Sequence, residues 1–523
     1  MTVSTKKYGF TGLALLVIAA VFAPACAGPL DDQTGEGMPN VADPNRPTPD
    51  GTPVDEDPET DRPAVSDGKL VRSEILGELE HRSYAFRHPK FHGVGTRRAV
   101  SQRVEVLIPA QVRGRHDQVP VVLLLGGHGP TSTQELLKAT ELPRFFRAEA
   151  VYVSVEHRGY GLSLSDDADQ SVPDYVSYEQ AVEDAHAVIE DLRVEFQGPW
   201  MVVGHGYAGS LAVELGALHP HDAVAFGASS APLLWEGLLE SEDAYARAAL
   251  GADAFDQASV FMTNLKPRET FDRNWRARET FEALIAWMAE SPEAANFKAE
   301  LLPLFREEPE TALAKLRALS EDLPGGASIL AQGEDRAVKR VLRSEAISRD
   351  LSARTWRYQQ CAELGAFRSS PTGDGVFVRT AEQHSEECAS TFGAENVMRL
   401  GRGQRTWSLE ENLARFGEAA GRGAESPTLV LVAGGEDPWS ELGARVPNWT
   451  PRVETDHAAI YDTHYGAFID APAGKHTPDM TDANVAVAFW GELFGVAREH
   501  SPEAMAREAA FDEAAFADVG EIE

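Results

Sequence analysis

Pro199-Trp200-Met201-Val202-Val203-Gly204-His205-Gly206-Tyr207-Ala208-Gly209-Ser210 reads as an apolar strand that breaks at glycines and passes into a helix over Leu211–Leu218. Strand, tight glycine-rich turn and helix in this order are the context of a nucleophile elbow, in which the turn lifts a serine above the strand ends. Small residues must flank the nucleophile because the turn is tight, and Gly204, Ala208 and Gly209 supply them. The nucleophile's own position holds Gly206, which has no side chain to attack a carbonyl. The stretch therefore predicts an enzyme's scaffold without the group that would do covalent chemistry.

Working outward, apolar strands recur at Val104–Ile108, Val121–Leu125, Val151–Val155, Ala223–Phe226, Thr428–Val432 and Ala467–Ile469. Between them, Tyr178–Phe196 places Val182, Ala185, Val188, Ile189, Leu192 and Phe196 at helical spacing, with His186 expected at its surface. Asn484–Val496 repeats that pattern with Phe489, Trp490, Leu493 and Phe494. Alternating strands and helices predict a parallel sheet covered on both faces. Residues Ala231 to about Met398 interrupt the rhythm with a helical, Ala-, Glu- and Arg-rich stretch that reads as an inserted cap.

Two loops after late strands carry the remaining chemistry. Gly434-Gly435-Glu436-Asp437-Pro438-Trp439-Ser440 offers an acid and Gly474-Lys475-His476-Thr477-Pro478-Asp479-Met480 a histidine. The order elbow, acid, histidine is that of the α/β-hydrolase fold, with each group at a strand's C-terminal end. In that arrangement Asp437 accepts the Nδ1–H of His476 and turns Nε2 toward the elbow. Gly126-Gly127-His128-Gly129 follows a buried strand, where such folds place an oxyanion-hole loop. The fold class expected is thus α/β: an α/β-hydrolase with a mostly parallel sheet, helices on both faces and an inserted helical cap.

The chain has 523 residues, 43% hydrophobic, enough for a large core and an insertion. Its net charge of −34 has no basic stripe set against it, which excludes nucleic acid as a partner. Lys6-Lys7, an apolar run over Leu13–Phe22 and Ala23-Pro24-Ala25-Cys26 form a signal sequence whose end resembles a bacterial lipobox, with Cys26 as the lipidated residue. Ala27 after that cysteine lacks the aspartate linked to inner-membrane retention, which points to the outer membrane or cell surface. Residues 27–68 are rich in proline and carboxylates and read as a disordered linker. Of the three cysteines, Cys361 and Cys388 remain as a pair for an oxidising compartment once Cys26 is lipidated. The organisation expected is a signal peptide at 1–26, the linker at 27–68, a hydrolase part at 69–232, the cap at 233–400, a second hydrolase part at 401–500 and an acidic tail at 501–523.

Several segments resemble, in order, the serine peptidase family of prolyl carboxypeptidase and dipeptidyl peptidase II. They are Leu125–Gly129, Glu156-His157-Arg158-Gly159-Tyr160-Gly161, Gly206-Tyr207-Ala208-Gly209 and Ser229-Ser230-Ala231-Pro232. Within the cap, Trp356–Gly365 and Glu387–Gly393 resemble the family's two cysteine segments, which implies a Cys361–Cys388 disulfide. Asp437-Pro438-Trp439-Ser440 and the Gly-x-His-x-x-Asp run from Gly474 complete the likeness, which runs from about Phe86 to Phe494. Secreted bacterial tripeptidyl aminopeptidases share several of these motifs.

The resemblance implies an exopeptidase acting on small proline-containing peptides, with no cofactor or metal, and it allows for a homodimer. It places Asp437 and His476 at the acid and base positions and Gly206 where the serine should stand. It gives the oxyanion hole to the backbone N–H of Tyr207 and one from Gly127 or Gly129. Two departures stand out: His128 replaces an acidic residue of the oxyanion loop, and Gly206 replaces the nucleophile. The expected protein is therefore an exported pseudopeptidase. The alternatives are a hydrolase using a water activated by His476 and Asp437, and a peptide-binding or interaction lipoprotein. A metal-assisted site of His128, His205 and His476 lacks compact ligand spacing.

Overall fold

The computed structural model describes residues 68–500 except 94–97, 132–148, 234–237, 240–241, 267–273, 325, 327–328, 331–351, 366, 370–374, 398–414, 417–426, 436, 442–450, 456–457, 464–465, 477 and 482. The signal sequence with Cys26, nearly all of the linker and the acidic tail fall outside the described residues. No described helix is long and apolar enough to cross a membrane.

The hydrolase strands are β1 (Lys69–Leu76), β2 (Leu79–Pro89), β3 (Ala99–Pro109), β4 (Val121–Leu125), β5 (Val151–Val155), β6 (Trp200–His205) and β7 (Ala225–Ser229). Helix α1 (Tyr178–Leu192) precedes β6 and α2 (Tyr207–Leu218) follows it. Next come β8 (Leu238–Leu239) and the helices α3 (Glu242–Leu250), α4 (Ala252–Asn264), α5 (Trp275–Glu290), α6 (Pro309–Leu319) and α7 (Ser352–Gln359). They are followed by β9 (Phe367–Arg368) and α8 (Ala381–Phe392). The chain returns to the sheet with β10 (Thr428–Gly434), β11 (Val453–Glu454), β12 (Ala459–Thr463) and β13 (Gly466–Ala471), and α9 (Ala483–Glu499) closes the described fold.

One sheet runs β1-β2-β3-β5-β4-β6-β7-β10-β13-β12-β11. Its centre, from β5 to β13, is parallel, and antiparallel strands extend it at both edges. The crossover that brings β4 between β5 and β6, with a helix after the elbow strand, is the α/β-hydrolase arrangement. Successive side chains of a strand point to opposite faces, and the core divides accordingly. Val121, Leu123, Val202, Leu429 and Leu431 pack on the face covered by α1 and α2. Val122, Met201, Val203, Val430 and Val432 pack on the other face, under Phe489, Trp490 and Leu493 of α9. This two-sided burial is why the central strands read as continuous apolar runs.

The edge strands carry little such signal. Most of β1 is exposed, and β2 spells Leu-Glu-His-Arg-Ser-Tyr-Ala-Phe-Arg-His-Pro, with His81, Tyr84, Phe86 and His88 turned inward. Their alternation is hidden because two of the four inward residues are histidines. His81 is satisfied by Glu105 of the neighbouring strand, and His88 by the Gln102 side chain at 2.8 Å.

Several boundaries move for local reasons. Helix α1 is capped by Ser177, whose hydroxyl accepts from Gln180 N–H, and ends at Leu192 rather than Phe196. Phe196 stays fully buried in the turn that follows, its N–H on the Leu192 carbonyl at 2.9 Å. His186 is half-buried and bonded to Asp222 at 2.8 Å, not a free surface residue. Helix α2 begins at Tyr207, four residues before the expected start, because Gly206 alone makes the turn. The strand expected at Ala223–Phe226 is β7, shifted to Ala225–Ser229.

The described residues between the two halves of the sheet are mostly helical, with their own apolar cluster around Phe255, Phe261, Phe281, Leu284, Ile285 and Phe305. Cys361, just after α7, and Cys388 in α8 form a disulfide with Cα atoms 5.5 Å apart. Buried Arg379 binds Glu279, Glu282 and Glu387, so three carboxylates from two helices share one guanidinium.

Candidate active site

Gly206 links the end of β6 to α2 with φ +56° and ψ −127°. An L side chain adopts such a backbone only under strain, as the elbow nucleophiles of this fold do. The turn is held by Gly206 N–H on the Ser229 carbonyl at 2.8 Å and Gly209 N–H on the Gly206 carbonyl at 2.9 Å. Gly204 is needed because a Cβ there would stand 2.0 Å from the Ala208 carbonyl oxygen.

Among the described residues other than its chain neighbours, a Cβ added to Gly206 would meet one within 4 Å: His476, with Nε2 at 3.0 Å and Cε1 at 3.3 Å. The other ring nitrogen of His476 faces Asp437, with Nδ1 3.2 and 3.1 Å from the two carboxylate oxygens. Asp437 is fully buried and also accepts from Trp439 N–H at 3.0 Å. Burial disfavours the imidazolium of His476, but the Asp437 charge and hydrogen bond overcome this and lift its pKa to about 8. The three sequence-predicted positions therefore come together: Gly206, His476 and Asp437 stand in line.

Gly127 lies beside the start of α2, where a Cβ on it would approach the Ala208 methyl at 4.0 Å. A Cβ on Gly129 would meet nothing within 4 Å. Tyr207 points its side chain away from the turn, into the body of the protein. Its hydroxyl accepts from Gln359 Nε2 at 2.9 Å and lies 3.1 Å from His157 Nε2. His157 Nδ1–H is donated to the Arg158 carbonyl at 2.7 Å, which leaves Nε2 to accept from the tyrosine. Burial holds the His157 pKa down at about 4, so the ring is neutral. Gln359 also receives Tyr160 Oη–H, and Trp356 packs edge-on against the Tyr207 ring at 5.5 Å. Helix α7 is thereby bolted to the elbow.

His128 stacks obliquely over Trp356 with ring centres 4.7 Å apart. Burial and the neighbouring His476 charge lower its pKa. Among the described residues, no metal-binding grouping contains His128, His205 or His476.

Two participants escaped the sequence reading. Asp479 is fully buried and takes hydrogen bonds from Ser229 Oγ and, at 2.9 Å, from His205 Nε2. It ties the residue before Gly206 and the end of β7 to the segment carrying His476. Its place in the Gly-x-His-x-x-Asp run was visible, but not its partners. Glu290, the last residue of α5, accepts Trp439 Nε1–H at 3.1 Å and pairs with Arg368. Its charge also helps hold up the His476 pKa. Nothing in its local sequence marks it. Ser210 offers no substitute nucleophile, since its buried hydroxyl donates to the Pro232 carbonyl at 2.6 Å.

The family described as serine carboxypeptidase S28 matches residues 113–242 and 330–454, two segments that include the elbow, both disulfide cysteines and Asp437. A serine protease of Caenorhabditis elegans designated K12H4.7 is 34% identical over 122 residues, 22% of this chain and 24% of that protein. The thymus-specific serine protease of Mus musculus is 35% identical over 120 residues, again 22% of this chain and 24% of the relative. The chain thus matches about a quarter of the length of each curated relative. Among solved structures, the proline iminopeptidase of Mycobacterium smegmatis aligns with 81% of this chain and 99% of its own at 14% identity and a TM-score of 0.34, a likeness that carries nothing further. On an α/β-hydrolase fold, the chain is thus similar over these segments to the serine carboxypeptidase S28 family and to the two curated serine proteases.

Proposed function

We propose that the protein is an exported, lipid-anchored homologue of proline-specific serine exopeptidases that has lost covalent catalysis: a pseudopeptidase. One observation carries the reading. The His476–Asp437 pair is aimed at position 206, and position 206 has no oxygen to activate. Removing a triad serine typically costs on the order of 10⁶ in kcat, leaving roughly 10³–10⁴ over water from the oxyanion hole and binding. In this reading the Tyr207 N–H and the loop of Gly127 and Gly129 still polarise a bound carbonyl. Proline-containing peptides are held but not cleaved. Cys26 provides the membrane attachment, at the outer membrane or cell surface.

The test compares the full chain with its Gly206→Ser and His476→Ala variants on a library of short X-Pro peptides and esters. A silent parent together with a Gly206→Ser variant that turns over substrate supports the reading.

A second reading rests on the same geometry. His476 Nε2 stands 3.0 Å from the missing Cβ, and its pKa of about 8 makes it a competent base in mildly alkaline solution. A water held there would be the nucleophile of a slow hydrolase. Turnover by the parent that His476→Ala abolishes would establish this reading and sink the first.

A further inference from the structure

Away from the elbow, α1 and the end of α2 bring two histidines and two carboxylates together. Glu183 and His186 are three residues apart on α1 and share a face. His219 follows the last turn of α2, and Asp222 comes three residues later. The His186 and His219 rings stack with centres 3.8 Å apart and planes within 11° of parallel. His186 Nδ1 lies 2.8 Å from Asp222 Oδ2, and His219 Nε2 lies 3.2 Å from Glu183 Oε1. One donor atom from each of His186, His219 and Asp222 falls within 4.8 Å of the others. The two rings are 28% and 22% exposed and Asp222 5%, so an ion can enter from solvent and find ligands held in place.

Two imidazoles in face-to-face contact cannot both carry protons without repulsion, and both already have carboxylates beside them. A divalent cation satisfies both rings and Asp222 at once. Tetrahedral donors 2.0–2.1 Å from one ion stand about 3.4 Å apart, so the 2.8 Å His186–Asp222 contact must open slightly while any wider pair within the 4.8 Å limit closes. One ring must turn about its Cβ–Cγ bond so that both nitrogen lone pairs point at the ion. A donor set of two imidazole nitrogens and one carboxylate oxygen suits zinc and its neighbours rather than calcium or magnesium, which take oxygen cages. Arg193 reaches the same loop, but its guanidinium is bonded to the His221 and Asp222 carbonyls, which fixes the loop without taking the carboxylate.

We propose that His186, His219 and Asp222, with water in the fourth position, bind a divalent transition-metal ion of the zinc type that clamps α1 to the C-terminal end of the elbow helix. The site stands apart from Gly206, and the proposal does not depend on whether the elbow is active. The other histidine–aspartate cluster, His88, His92 and Asp184, differs decisively. Arg158 donates through two nitrogens to both oxygens of Asp184, putting a cation where the metal would need to be.

The probe is Co²⁺, whose visible absorption reports tetrahedral nitrogen and oxygen ligation, added to the untagged full chain and displaced with Zn²⁺. The expected result is one Co²⁺ per chain, displaced by one Zn²⁺, with a melting temperature that rises as metal is added. His219→Ala should weaken binding by about 100-fold or more, since loss of even an outer partner of a ligand costs 10–100-fold. His186→Gln and Asp222→Asn should do the same, and they serve if His219→Ala lacks the parent's far-UV spectrum. No Co²⁺ absorption in the parent, or absorption unchanged in the folded variants, overturns the proposal.

Discussion

His476 Nε2 stands 3.0 Å from where a Cβ on Gly206 would lie, and among the described residues, Gly206's chain neighbours aside, no other comes within 4 Å of that point. In the proposed reading His476 is the base, Asp437 its acid, and the strained turn is arranged for a side chain that Gly206 does not supply.

Gly206→Ser is therefore expected to convert the chain into a working serine hydrolase. The φ of +56° is the one the elbow demands, and His476 must yield only a few tenths of an ångström to admit the Cβ. Turnover of X-Pro esters should rise by on the order of 10³ or more over the parent, well inside the ~10⁶ that a triad serine supplies. A phosphonylating reagent should label the introduced hydroxyl stoichiometrically and leave the parent unlabelled. A variant that is folded, inert and unlabelled would mean that the site has decayed beyond its nucleophile.

The pH profile of that variant follows from His476. The base works only as neutral imidazole, and its pKa is lifted to about 8 against burial by the Asp437 charge. Activity should therefore rise with pH and reach half its plateau near pH 8. Asp437→Asn removes the charge that raises the pKa, so the midpoint should move down. It should also reduce the plateau by up to about 10⁴, because the ring's tautomer and orientation are no longer fixed. A midpoint unmoved by this change would show that Asp437 is not what raises His476.

Asp479 is expected to matter for stability. It accepts from Ser229 and His205 while fully buried, and Asp479→Ala strands the Ser229 hydroxyl in the core. Loss of charged hydrogen bonds of this kind costs about 2–3 kcal/mol. The measurement is the denaturant midpoint of Asp479→Ala against the parent, and a shift within error would assign Asp479 no structural weight.

The Cys361–Cys388 bridge closes a loop with a sequence separation of 27 residues. Replacing both cysteines by serine should lower stability by about 3–4 kcal/mol, through the added freedom of the unfolded chain. Thermal melts of the double variant against the oxidised parent check this, and the same loss should follow from reduction of the parent.

Much of the fold was legible because burial on both faces leaves an unmistakable mark. Val121–Leu125 and Val151–Val155 are apolar throughout, since neither side of those strands meets water. The edge strands β1 and β2 left no such mark, one being mostly exposed and the other burying histidines as well as aromatics. Likewise, Asp437 and His476 announced themselves through their glycine-rich loops. Glu290 and Asp479 did not, because their importance lies in partners 149 and 274 residues away in sequence.

By itself the sequence determined the α/β-hydrolase fold class, and local composition and spacing sufficed to mark the glycine turn at Gly206 and the loops that carry Asp437 and His476. Only the tertiary structure decided that Nε2 of His476 faces the bare Cα of Gly206, that Tyr207 is spent holding α7 rather than facing the site, and that His186 and His219 meet. These are relations between distant segments. They arise when a twisted sheet brings loop ends together, and no local pattern of residues encodes a distance across that gap.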